Sequence, residues 1–196
     1  MALLRSSNLK QRILSSSALV GGVILGGALF PASAFGAACM GFVNTMVSTT
    51  CPGMNNASPL NYPGDNAAYA AGNDFTLTLN QTKVANGITQ VVLPGAGEDI
   101  VINAHGVTLN NANNNSGGLS GVANGGGNVT VLVDGASVIT TSGAASPGID
   151  TRTTGAGSID IDILGTSKVT TTGFSFAVGA QAQGTGNIDI TANTTG

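Results

Sequence analysis

Apolar and polar residues alternate in short runs along most of the second half of the chain. Ile159, Ile161 and Ile163 alternate with Asp160 and Asp162, and Val129, Val131 and Val133 frame Thr130 in the same way. Alternation with period two puts successive side chains on opposite faces of a strand, so each run predicts a strand with one apolar face. Phe75, Leu77 and Leu79 follow the same rule and mark the expected first strand. Gly, Asn, Ser and Pro separate the runs, which is the punctuation of strands joined by turns.

The runs also recur at a fixed distance. Gly127-Asn128-Val129-Thr130-Val131, Gly157-Ser158-Ile159-Asp160-Ile161 and Gly186-Asn187-Ile188-Asp189-Ile190 align with their glycines 30 and then 29 residues apart. A looser copy, Gly97-Glu98-Asp99-Ile100-Val101-Ile102, lies another 30 residues upstream with one residue inserted. Asp134–Gly143 matches Leu164–Gly173, and Leu119, Ile149 and Val178 take corresponding places. Each unit thus holds three short β-prone runs. Three strands per repeat, each with an apolar inner face, describe one coil of an all-β parallel β-helix, a β-solenoid with coils of about 30 residues. A β-sandwich would not require copies at one spacing.

This period makes positional expectations. Ile159 should stack inside between Val129 and Ile188, Thr130 and Asp160 should point out, and Asp189 should lie beside Asp160. The repeat glycines fit tight corners that need positive φ. Asn55–Asn73, with Pro59 and Pro63, reads as a loop or irregular cap, and Asn110–Gly127 as an exposed turn leaving the stack. The domain boundaries that follow are 1–34, 35–74 as an N-terminal cap, and 75–196 as β-helix repeats.

Residues 1–34 carry an export pattern. Arg5, Lys10 and Arg12 precede an uncharged apolar stretch over 18–30, then Pro31 and the small residues Ala32-Ser33-Ala34. This is a cleavable signal peptide, cut between Ala34 and Phe35. The stretch is short for a transmembrane helix and is weakened by four glycines. Lipidation at Cys39 is the weaker alternative, because Gly36-Ala37-Ala38 lacks the large aliphatic residue expected before a lipidated cysteine. At the other end, Thr194-Thr195-Gly196 falls inside a repeat with no capping element, an expectation of a fragment of something longer.

Composition narrows the partners. Beyond residue 34, Lys83, Arg152 and Lys168 face nine acids, a net charge of −6 against −3 for the whole chain. Such a surface repels phosphate backbones and argues against nucleic acid. With no Trp and 4% aromatics, the core must be a narrow one filled by Val and Ile. Cys39 and Cys51 are the chain's cysteines, and in an oxidising compartment they are expected to pair. Closing that loop would contribute about 3 kcal/mol on the chain-entropy account.

A cleaved signal, a small cysteine loop and then Gly-x-Gly-(Asn/Ser)-Ile-x-Ile and Val-Thr-Thr-Thr-Gly repeats resemble the N-terminal passenger of a bacterial autotransporter. The resemblance covers about residues 35–196. It implies a right-handed β-helix, passage through the periplasm to the cell surface or beyond, and export through an outer-membrane β-barrel. The barrel is either a further domain of the same protein or a separate pore. Passengers of this kind are often adhesins, which implies host-surface or matrix glycans or proteins as partners; some are proteases or esterases.

Candidate chemistry is sparse. His105, in Asn103-Ala104-His105-Gly106, falls in a turn, and no serine sits in a Gly-x-Ser-x-Gly setting; Gly173-Phe174-Ser175-Phe176-Ala177 fails at its last position. Asp160, Asp162 and Asp189 could supply oxygen ligands to calcium or form a solvated acidic ladder. The second is favoured because the nonapeptide calcium repeat is missing. Arg152 near Asp150 is thin support for a polysaccharide-lyase groove. No catalytic, cofactor or metal residue is therefore assigned. Two functions stand: a surface-displayed structural or adhesive passenger, and, by analogy of fold alone, a carbohydrate-active β-helix enzyme.

Overall fold

The computed structural model describes residues 48–195 apart from 53–54, 57–59, 63–71, 86–88 and 96. The expected signal peptide, the Ala34/Phe35 junction and Cys39 lie outside the described residues. Those described form strands and turns, with no helix among them. The strands come in triplets: β1 (Ser48–Pro52), β2 (Asn55–Asn56), β3 (Leu60–Tyr62); β4 (Phe75–Asn80), β5 (Lys83–Ala85), β6 (Thr89–Leu93); β7 (Ile100–His105), β8 (Thr108–Asn111), β9 (Leu119–Ala123). They continue with β10 (Val129–Asp134), β11 (Val138–Thr141), β12 (Ile149–Gly155); β13 (Ile159–Gly165), β14 (Lys168–Thr171), β15 (Val178–Gly184); and β16 (Ile188–Thr194).

Every strand pairs in parallel with the strand three places along. The result is three sheets, ordered β1-β4-β7-β10-β13-β16, β2-β5-β8-β11-β14 and β3-β6-β9-β12-β15. Parallel neighbours need a long crossover. Here each crossover is the rest of one coil, and the chain is a β-solenoid. Ile100, Val129, Ile159 and Ile188 share one column, steps of 29, 30 and 29 residues, so Ile159 does stack between Val129 and Ile188.

The core is a set of such columns. Phe75, Ile100, Val129 and Ile159 form one, Leu77, Ile102, Val131 and Ile161 the next, and Leu79, Ala104, Val133 and Ile163 a third, all buried. Val84, Leu109 and Ile139 line the second sheet, and Leu119 and Ile149 the third. Each buried Val, Leu or Ile contributes about 1.5–3 kcal/mol relative to exposure, realised only when the neighbouring coil covers it. At the N-terminal side Tyr62 stacks on Phe75 with ring centroids 5.9 Å apart. Cys51 is buried and disulfide-bonded, and its Sγ lies 3.5 Å from the Tyr62 hydroxyl, which donates. The partner expected for it, Cys39, is outside the described residues.

Three expectations change. Strand pairing starts before Phe75: β1 to β3 are in register with β4 to β6, so the solenoid extends into the stretch read as a cap. Their strands are only five, two and three residues long, too short to show a period. Asn110–Gly127 does not leave the stack either. It completes β8, turns, and contains β9, with Leu119 and Ala123 buried. The asparagine-rich corner is held from inside: the Asn111 amide donates to the Ser116 and Gly117 carbonyls at 2.6 and 2.7 Å.

The third change concerns glycine. Gly165, with φ +69° and open space where a Cβ would stand, is the expected left-handed corner, in a column with Gly135 and Gly106. Gly127, Gly157 and Gly186, which open the repeats, serve differently. A Cβ on Gly157 would lie 2.0 Å from the Gly127 carbonyl oxygen, and one on Gly186 1.8 Å from that of Gly157. These positions need the absence of a side chain, not an unusual φ, because backbone of one coil rests directly on the next.

Candidate functional site

The outward side chains sort by sheet. The first sheet carries Asp134, Asp160, Asp162 and Asp189 with His105; the second carries Lys83 and Lys168; the third carries Asp150 and Arg152. This segregation follows from the strand assignments, since each column repeats one position of the coil.

On the first sheet, register places Asp160 beside Asp189 and Thr130, as the period predicts. Desolvation, then repulsion from Asp162 and from Asp189, raises the Asp160 carboxyl above its ordinary 3.8. A raised folded-state pKa means that the folded chain binds this proton more tightly than the unfolded one. Protonation therefore favours the fold, and that contribution fades as pH rises through the folded pKa. Asp160→Asn should accordingly stabilise the fold at pH 7 by about a few tenths of a kcal/mol, given solvent screening, with a small rise in melting temperature, and leave it nearly unchanged at pH 3. An equal shift at both pH values would show that carboxylate repulsion is not its cause. Among the described residues no three His, Cys, Asp or Glu side chains are grouped to hold a metal ion.

His105 ends β7 rather than lying in a turn. Its Nδ1 is 2.7 Å from Oδ1 of Asp134, the residue that ends β10 one coil later. Both side chains are well exposed, so the pair is solvated. Sequence reasoning missed this contact, although the 29-residue step that stacks Ile100 on Val129 also stacks His105 on Asp134. Among the described residues no nucleophile is bonded to the His105 ring. The hydroxyl of nearby Ser137 is buried and donates to the Asp134 and Ala104 carbonyls at 2.7 and 3.0 Å. Ser175 lies between β14 and β15, two coils on and at a different corner.

On the third sheet the Arg152 guanidinium donates to Gln183 Oε1 at 2.7 Å. Desolvation raises the Asp150 carboxyl above its ordinary range, opposed by the Arg152 charge. One acid and one cation, with the cation already bonded to an amide, do not make the paired carboxylates that glycoside hydrolysis requires.

A polar ladder also went unforeseen. Leading into the first sheet, the Asp99 N–H donates to Asp74 Oδ1 at 2.8 Å and the Asn128 N–H to Asp99 Oδ1 at 2.7 Å. The Ser158 N–H then donates to Asn128 Oδ1 at 2.9 Å, and the Asn187 N–H to Ser158 Oγ at 3.1 Å. Each coil thus receives the next through a short polar side chain. Its signal was present: an Asp, Asn or Ser stands immediately before Phe75, Ile100, Val129, Ile159 and Ile188. Glu98, buried, has the same kind of role, with its carboxylate accepting from the N–H groups of Gly72 and Gly95. The polar groups that the fold brings together are therefore mostly engaged in stacking coils.

Comparison with protein-family models, with curated proteins and with solved structures returned no match.

Proposed function

We propose that this chain is an exported, surface-displayed β-helical passenger of autotransporter type, with a structural or adhesive role and no catalytic one. One observation carries the proposal: a β-solenoid that keeps its parallel register from Ser48 to Thr194, downstream of the tripartite export pattern in residues 1–34. A solenoid of this build is a stiff rod whose length grows with coil number, which suits a stalk that holds a binding surface away from a membrane. The engagement of its hydroxyls, amides and carboxylates in coil stacking supports a structural role. Its partners on this reading are the export machinery, an outer-membrane β-barrel, and glycans or proteins of a host surface or matrix.

The test is processing and address together. Expressed in a Gram-negative host, the chain should lose residues 1–34 and begin at Phe35. N-terminal sequencing that returns Met1, or a lipid on Cys39, would sink the export reading. The carbohydrate-active alternative rests on analogy of fold alone, and Asp150 beside Arg152 is the pair it would have to use. Screening the purified chain against acidic and neutral polysaccharides, with Asp150→Asn as control, decides it: turnover that disappears in the variant would favour the enzyme.

A further inference from the structure

We draw no further inference here: the strongest candidate, the cluster of Asp160, Asp162 and Asp189 on the outer face of the first sheet, is an acidic cluster with no second feature among the described residues that points to a ligand.

Discussion

Replacing Ile161 with aspartate is expected to destroy the cooperative melting of the middle coils, while Asp160→Thr, one residue away, leaves it intact or raises it slightly. Ile161 is fully buried in β13, between Val131 of β10 and Ile190 of β16. The substitution removes most of a packed isoleucine, worth about 2–5 kcal/mol by comparison with large-to-small core changes. It also puts a carboxylate between the side chains of Val131 and Ile190 in the same inward column. That group can gain water only if the coils part, which adds a further cost of several kcal/mol. The sum approaches the whole stability of an ordinary domain, about 5–15 kcal/mol. Asp160 is exposed, and threonine there continues the outer column already begun by Thr130. It removes the repulsion from Asp162 and Asp189 and adds a β-branched residue suited to a strand. Far-UV circular dichroism melts of the two variants make the comparison. Similar behaviour in both would mean that the inward and outward assignment of β13 is wrong.

Such a prediction could be written from the sequence because the repeat contains its own register. Once Gly127, Gly157 and Gly186 are aligned, every residue between them acquires a neighbour one coil away, and the Val/Ile columns follow. Legibility failed where that signal thins. β1 to β3 are short and share no motif with later coils, so their membership in the stack appears only in pairings such as Cys51 with Leu79, Asn56 with Val84 and Tyr62 with Val91. β9 was only partly legible inside a Gly- and Asn-rich run: Leu119 aligns with Ile149 and Val178, but an interior that accepts Gly121 and Ala123 gives no run of large apolar residues to mark the strand. The candidate chemistry suffered from a different limit. His105 and Asp134 are unremarkable alone; the 29-residue step that pairs them is a property of the whole coil. The ladder of Asp74, Asp99, Asn128, Ser158 and Asn187 was likewise readable as composition but not as bonding. Side chains of the same length and polarity could equally face solvent, and only the stacked geometry turns them toward the next backbone N–H.

The repeat-opening glycines should prove more sensitive than the corner glycines, against the usual expectation that positive φ is what makes a glycine irreplaceable. Gly165→Ala places a methyl group in open space, at φ +69°, and should cost about 1–2 kcal/mol for the left-handed backbone alone. Gly165→Asn should recover part of that, since asparagine tolerates the region. Gly157→Ala meets a different obstacle. Its new Cβ would sit 2.0 Å from the Gly127 carbonyl oxygen and 2.3 Å from Thr153 Oγ1. The Thr153 hydroxyl is buried and donates to that same carbonyl at 2.6 Å. Relief therefore requires separation of the two coils at the Gly127 carbonyl, together with a shift of Thr153 that strains or breaks its bond to that acceptor. Overpacking and a lost buried hydrogen bond together should cost about 2–4 kcal/mol, and Gly157→Asn, with a larger side chain, should cost more rather than less. Urea denaturation of the four variants at an unchanged m-value reads these differences as midpoint shifts. If Gly165→Ala is the more damaging of the two alanine changes, or asparagine rescues position 157, then backbone conformation and not coil-to-coil contact governs the repeat glycines.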